Sequence, residues 1–336
     1  MRKPTIIDLA KAAGVSPTTI SHAFSGRRKV DPGTRDRIVA LAEEMGYRPS
    51  KAAQRLRSGR TGTIGLASSM PFAVAAGPSR LGFLMEIAAS AALTALTRDM
   101  ALCLVPTSPD SNLDNLDFDG VIIVEPVRDE ALIQYFEARH IPIVSIGKVP
   151  ARPDVASIDL HSGRTARLLL DHLHEAGSRQ IGLITGEQRR NSYEETEAVY
   201  ATFAAEHGMT PIAMRLDENG GETLAEREAA SLLTQHPQLD GLLVSVDALA
   251  TGTMTALQRL GLAVPSDVRL ATRYDGMRAQ LSRPQLTAVD LHLDDVARAA
   301  VEAILAQMDG EDRVVAGPTP EIIIRESSRS QTGGGF

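Results

Sequence analysis

Within the first fifty residues, apolar positions recur at helical spacing in three short blocks. Ile6, Leu9, Ala10 and Ala13 share one helix face. Thr5, with Asp8 three residues on, supplies an N-cap and its partner, and Gly14 marks the stop. Val15 plugs the corner. Ser16-Pro17 then reads as N-cap and first position of a second helix through Thr18, Thr19, Ile20, Ser21, His22, Ala23 and Phe24, ended by Gly26. Asp31-Pro32 repeats the start signal for a third block, in which Ile38, Leu41, Ala42 and Met45 precede a stop at Gly46. Two short helices joined by a tight glycine turn, with a third to bury their apolar faces, predict a helix-turn-helix unit, a periodicity shared with other small three-helix bundles. Thr18, Thr19, Ser21 and His22 face outward as a polar set while Ile20 and Ala23 hold the second helix to the core, which is what contact with base edges demands.

A further device follows. Ser50 after Pro49 is placed to cap Lys51-Ala52-Ala53-Gln54-Arg55-Leu56-Arg57, with Gly59 as the stop. Isolated helices below ~12–15 residues are marginal in water, so this segment needs outside support to be helical. Leu56 between Arg55 and Arg57 is an odd choice for an ordinary linker.

From Thr61 onward the period changes. Ile64–Ala67, Ala101–Val105, Val121–Val124, Ile141–Val144, Ile181–Ile184, Leu242–Ser245 and Val268–Ala271 read as buried parallel strands. Helical patterns lie between them at about 83–98, 129–139, 162–176, 194–207, 223–235 and 248–260. Alternation over this length predicts an α/β body of two doubly wound parallel sheets. Such sheets bind ligands outside the carboxyl ends of their strands. That rule nominates Ser68, Ser69, Phe72, Ser145, Asp247, Arg273 and Asp275.

Charge sharpens the division. Residues 1–60 hold 13 Lys+Arg against 5 Asp+Glu, whereas the remaining 276 hold 22 against 37. A basic module is joined to an acidic body, so the net −7 hides a segment able to attract phosphates. Hydrophobic content of 43% excludes a mainly disordered chain. No apolar run approaches a membrane span, the N-terminus lacks the apolar stretch of a secretory signal, and the single cysteine, Cys103, suits a reducing cytoplasm.

The run Thr5-Ile6-Ile7-Asp8-Leu9-Ala10-Lys11-Ala12-Ala13-Gly14-Val15-Ser16-Pro17-Thr18-Thr19-Ile20-Ser21 resembles the DNA-binding headpiece of the LacI/GalR family of bacterial transcriptional regulators. The likeness continues through Val30-Asp31, Thr34-Arg35, Ile38, Ala42, Gly46-Tyr47, Pro49 and Ala52-Ala53-Gln54-Arg55-Leu56. It implies that Pro17, Thr18 and His22 read bases and that Thr5, Ser16, Thr19, Ser21 and Thr34 sit near phosphates. Relatives often carry Arg at the position of His22 and Tyr or Ala at that of Pro17, so the operator sequence stays open. The resemblance makes residues 50–57 a hinge helix, with Leu56 as a minor-groove wedge and small Ala53 allowing close approach.

For the body the resemblance implies two lobes like those of periplasmic sugar-binding proteins, with crossings near 159–161, 289–292 and 317–320 and a ligand between the lobes. Tyr193 falls in a loop the family uses at the cleft edge. Three departures stand out: Thr196 replaces an effector-holding Arg, Val246 replaces Asn or Ser before Asp247, and Arg273 replaces Gly. Arg273 is placed to supply the cation missing at Thr196, which favours an anionic or carbonyl-bearing ligand.

The expected organisation is a headpiece over 1–49, hinge and linker over 50–60, and an effector-binding and dimerisation domain over 61–336. Lobe 1 takes about 61–160 and 291–318, and lobe 2 about 161–290 and 319–328. Expected partners are double-stranded operator DNA, a small polar effector such as a sugar or nucleoside, and a second copy of the chain in the cytoplasm, at the nucleoid. No cofactor or metal is expected, since His172 and His174 are two apart on a helix and Cys103 sits mid-strand. The rival readings are a cytoplasmic ligand-binding protein and an α/β enzyme acting on a small polar metabolite. Neither Gly-x-x-x-x-Gly-Lys-[Ser/Thr] nor Gly-x-Ser-x-Gly occurs.

Overall fold

The reciprocal cap forms as the spacing of Thr5 and Asp8 predicts. The Thr5 N–H donates to Asp8 Oδ2 at 2.8 Å and the Asp8 N–H to Thr5 Oγ1 at 3.4 Å, launching α1 (Ile6–Ala13). Gly14 adopts φ 63° and the Val15 N–H reaches back to the Ala10 carbonyl at 3.1 Å, which closes the turn. Helix α2 (Pro17–Ser25) opens on Ser16, whose Oγ accepts from the Thr19 N–H at 3.1 Å. Helix α3 (Pro32–Glu44) opens on Asp31, which accepts from the Thr34 N–H at 2.9 Å. Leu9, Ala10, Ala13, Ile20, Ala23, Ile38 and Ala42 form the shared core. Arg37 of α3 donates to the Ala13 carbonyl at 3.2 Å, satisfying one of the acceptors left over where α1 ends. Burial of Leu9, Ile20 and Ile38 contributes about 1.5–3 kcal/mol apiece, a large share of what so small a unit can gather.

This computed structural model describes residues 4–25, 30–47, 60–71, 82–106, 112–311 and 316–329. The expected stop at Gly26, the hinge segment 50–57 with Ala53 and Leu56, and Phe72 lie outside the described residues. The chain divides into two units, 1–61 and 62–336.

The second unit begins with β1 (Thr63–Ala67), α4 (Phe83–Leu96), β2 (Ala101–Leu104), β3 (Gly120–Val124), α5 (Ala131–Glu137), β4 (Ile143–Ile146) and β5 (Ser157–Ile158). These strands make one sheet, β2-β1-β3-β4-β5, parallel throughout. Every residue of β3 and β4 is buried, as continuous apolar runs covered on both faces require. A second series follows: α6 (Ser162–Glu175), β6 (Ile181–Gly186), α7 (Asn191–Glu206), β7 (Ile212–Leu216), α8 (Gly221–Gln235), β8 (Gly241–Val244), α9 (Asp247–Arg259), β9 (Arg269–Thr272) and α10 (Met277–Leu281). Its parallel sheet has the order β7-β6-β8-β9. The chain then forms β10 (Ala288–Asp290), α11 (Leu293–Met308) and β11 (Glu321–Ile323), with β10 and β11 paired antiparallel. Helix α11 returns to the first sheet, where it packs beside α4.

Several elements differ from the sequence expectation: β5, β10, β11 and α11 were not anticipated, and β2, expected to be buried, is an edge strand whose residues are exposed or half-buried. β4 starts two residues later than predicted, because Pro142 has no N–H for the ladder and serves it only as an acceptor for Val121. β7 was not anticipated; only its end residues, Ile212 and Leu216, are buried, so as an edge strand it lacks a continuous apolar run.

The chain passes between the two sheets at Asp159–His161 and Asp290–His292, and returns past the first of these at Gly317. The first two crossings repeat one Asp-Leu-His device. Each histidine has a left-handed φ (50° and 51°) and donates its N–H to the preceding aspartate, at 2.8 Å for His161 and 2.7 Å for His292. Each then starts a helix of the other lobe. At the third crossing, a Cβ on Gly317 would lie 1.9 Å from the Asp159 carbonyl oxygen, so only glycine fits.

Candidate functional site

On the headpiece, α2 presents its first turn to solvent. Ser16, Pro17 and Thr18 are exposed, Thr19, Ser21 and His22 are half-buried, and Ile20 and Ala23 are buried beneath them. This follows from the 3.6-residue period: with Ile20 and Ala23 fixed inward, Pro17, Thr18 and His22 fall on the flanks and outer face. The hydroxyls of Thr5, Ser16 and Thr34 are engaged in the caps that start the three helices. The amino ends of these helices are therefore held by short side chains that leave N–H groups near the surface, a geometry suited to phosphate oxygens.

In the body, the strand ends of both sheets meet at a buried polar cluster. Ser68 and Ser69 follow β1, Glu125 follows β3 and Gly147 follows β4. From the other lobe, Arg190 comes from the β6–α7 loop, Ser192 and Tyr193 from the first turn of α7, and Arg273 from the residue after β9. Glu125 accepts from Arg273 Nη2 at 2.8 Å and from the Ser192 hydroxyl, while its carbonyl accepts from Arg190 Nη1. Arg190 also reaches Ser69 Oγ at 3.3 Å and Glu218 Oε1 at 3.5 Å. Ser69 donates to Glu130 at 2.6 Å. Arg190 and Glu218 are almost wholly enclosed, at 1% and 0% side-chain exposure. Around this cluster the lobes are joined by Arg128–Glu194 at 2.7 Å, Lys148–Glu195 at 3.1 Å, and a backbone bond from the Arg128 N–H to the Arg189 carbonyl at 2.9 Å.

The other nominated residues fall around this cluster in different states. Tyr193 is buried against Gly186 and Glu218, and burial pushes its phenol well above the ordinary value, with Glu218 adding to the shift. Asp247 opens α9, where it accepts from the Ala248 N–H at 2.8 Å and from Arg278 at 3.2 Å. Burial raises its pKa, and Arg278 opposes that rise. Asp275 is held by Arg325 through two bonds of 2.5 and 2.8 Å. Ser145 lies within β4, and its hydroxyl donates to the Gly147 carbonyl at 2.8 Å. The Thr196 hydroxyl turns back to the Ser192 carbonyl at 2.7 Å. Glu125, Arg190, Ser192 and Glu218 were not nominated. Glu125 was within reach of the strand-end rule, since it directly follows the apolar run Val121–Val124. For Arg190 and Glu218, the local sequence carries no signal.

Buried side-chain groups here without a hydrogen-bond partner among the described residues include Arg190 Nη2, Arg273 Nε, Ser245 Oγ and, at the rim, Arg128 Nε. Buried donors left in this way mark a place where a ligand's acceptors would be bound favourably. No cluster of His, Cys, Asp and Glu among the described residues is arranged to hold a metal ion, and no helix among them is long and apolar enough to cross a membrane.

Comparison with known proteins gives two family matches: "Bacterial regulatory proteins, lacI family" over residues 5–50 and "Periplasmic binding protein-like domain" over 170–328. The HTH-type transcriptional regulator IpsA of Corynebacterium glutamicum is 30% identical over 319 residues, covering 85% of this chain and 86% of that protein. The chain belongs to the LacI/GalR family of bacterial transcriptional regulators. The HTH-type transcriptional repressor PurR of Haemophilus influenzae is 28% identical over 344 residues, 97% of this chain and 99% of its own. Among solved structures, the lac repressor dimer bound to operator and the anti-inducer ONPF superposes with a TM-score of 0.79 at 22% identity, over 98% of this chain and 100% of the other. The CelR–cellobiose complex gives 0.70 at 22% identity, over 96% and 99%. The fold is thus a helix-turn-helix headpiece on a periplasmic-binding-protein-like α/β body, and the protein is a DNA-binding transcriptional regulator.

Proposed function

We propose that this regulator is a homodimeric, cytoplasmic, sequence-specific repressor whose hold on a pseudo-palindromic operator is set by a small polar molecule bound between the two lobes. The observation that carries the reading is the cleft itself: buried guanidinium and hydroxyl donors without partners, in a body attached to a basic headpiece. In this reading residues 1–49 bind the major groove, with Pro17, Thr18 and His22 at base edges and Thr5, Ser16, Thr19, Ser21 and Thr34 at phosphates. Residues 50–60 are the hinge, with Leu56 and Ala53 against the minor groove.

Residues 61–336 bind effector and partner, lobe 1 being about 61–160 and 291–318 and lobe 2 about 161–290 and 319–328. Ser69, Phe72, Ser145, Tyr193, Thr196, Asp247, Arg273 and Asp275 are proposed at or beside the effector. The cellobiose and ONPF complexes of the structural neighbours support a small-molecule ligand. Exposed Leu93 and Leu96 on α4, Leu104 on the edge strand β2 and Leu281 on α10 offer apolar surface for a second copy. Among the described residues the charged side chains Glu125, Arg273, Asp247, Arg278, Asp275 and Arg325 are taken up in ion pairs, which supports binding without turnover.

The test is selection from random duplex oligonucleotides by the full-length protein, with and without metabolite extract. A pseudo-palindromic motif whose recovery changes with extract is expected; no preference under either condition overturns the reading. His22→Ala is expected to relax the motif at one or two positions, and Leu56→Ala to weaken specific binding and reduce operator bending.

A further inference from the structure

Glu125 is an unusual residue to find where it is. It has a left-handed φ of 49°, it is buried, and it belongs to lobe 1, yet among the described residues the donors it receives come from lobe 2. Across from it stands Gly147, where an added Cβ would come within 3.1 Å of Glu125 Oε1, so the absence of a side chain there makes room for the carboxylate. A side chain in this position does what a bound anion does: it neutralises a guanidinium and draws two lobes together.

The charge balance of the cleft has a consequence for what else can enter. Two buried cations, Arg190 and Arg273, face two buried carboxylates, Glu125 and Glu218, and a third carboxylate, Glu130, sits beside them on Ser69. At the rim Arg128 and Arg189 share Glu194, and Arg278 is matched by Asp247 and Glu222. Among the described residues, a carboxylate or phosphate entering beside Arg190 and Arg273 would meet no unpaired buried cation and would carry the desolvation penalty of a buried charge unaided. The unfilled groups, Arg190 Nη2, Arg273 Nε and Ser245 Oγ, still require acceptors. Carbonyl oxygens, hydroxyl lone pairs and ring nitrogens supply them without added charge.

We infer that Glu125 is a tethered anion that occupies Arg273 in the effector cleft, as Glu218 occupies Arg190, so that the cleft selects uncharged, acceptor-bearing molecules and rejects carboxylates and phosphates. The inference builds on the reading of this cleft as the effector site. It narrows the choice left open by Arg273, between an anionic and a carbonyl-bearing ligand, to the second.

Chemical rescue tests it. Full-length wild type, Glu125→Ala and Glu125→Gln are melted against increasing sodium acetate or inorganic phosphate, with ionic strength held constant by chloride. Glu125→Ala vacates a carboxylate-sized space beside Arg273, and acetate is expected to refill it saturably. At ten times its dissociation constant, acetate raises the folded-to-unfolded ratio about elevenfold. Glu125→Gln keeps the shape and removes the charge, which guards against a variant that fails to fold. In that variant phosphate is expected to raise the melting midpoint while leaving wild type unchanged. Equal responses in wild type and both variants, or no response in either variant, overturn the inference. A metabolite screen on wild type separates the two readings. Anionic hits defeat the tethered-anion inference and leave the effector cleft standing. Rescue by acetate with no metabolite hit leaves Glu125 as assigned and removes the effector.

Discussion

The pair formed by Arg190 and Glu218 offers the sharpest energetic test of the cleft. Both side chains are almost wholly enclosed and lie 3.5 Å apart. Among the described residues, the Glu218 carboxylate also accepts from the Gln188 N–H, over a long 3.4 Å. Arg190→Met therefore leaves a carboxylate in the interior with nearly nothing to replace water. Breaking a buried pair from one side costs about 3–5 kcal/mol, whereas replacing both partners by apolar residues is often neutral or stabilising. At about 2–4 °C per kcal/mol for a large domain, the single variant is expected to melt roughly 6–20 °C below wild type. Arg190→Met with Glu218→Met is expected to recover most of that loss, a coupling of about 2–3 kcal/mol. The assay is urea unfolding of the full-length protein, with wild type, both single variants and the double variant compared at unchanged m-value. A loss below about 1 kcal/mol for Arg190→Met, combined with additivity in the double variant, would refute the claim that the charge of Glu218 depends on Arg190.

Three further outcomes are expected. Ile20→Ala removes a fully buried side chain from the headpiece core at a cost of about 2–5 kcal/mol. Operator binding in a gel shift should vanish while the melting of the body is unmoved, and retained binding would contradict the packing of α2. Gly317→Ala drives a Cβ to 1.9 Å from the Asp159 carbonyl, so its destabilisation should exceed the ~3 kcal/mol that bounds most single substitutions. A near-native melting point would show that the third crossing has slack. His172 is held below the ordinary histidine value of 6.5, chiefly by burial with Arg269 assisting and Glu175 opposing. As pH falls through 6.5 the unfolded chain takes up a proton that the folded one refuses, so stability declines until the lower folded value is passed. Gln at this position can keep the 2.7 Å bond to Ser328, so His172→Gln should flatten the decline in stability as pH falls below 6.5. An unchanged slope would assign the acid sensitivity elsewhere.

The headpiece was legible because its instructions are local. Thr5 and Asp8 are three residues apart, Gly14 ends one helix and Ser16 starts the next, and each signal acts within one helical turn. The seven core residues of the headpiece are fixed by the same period. The central strands of the body, such as β3, β6 and β8, were legible for a similar reason, because a strand buried on both faces must be apolar throughout. Where that condition lapses, as in the edge strand β7, the signal lapses too.

What the sequence determined, then, is the headpiece, most of the strands and helices of the body, and the basic module at the amino end. The cleft was decided elsewhere. Glu125 meets Arg190 and Ser192 across 65 and 67 positions and Arg273 across 148, and these distances along the chain close only after two sheets and three crossings are in place. A carboxylate after a strand is an acceptor in any sequence. Whether it faces water, a ligand or a guanidinium from the other lobe depends on which strand ends the fold brings together, and low-dielectric burial then makes that choice energetically decisive.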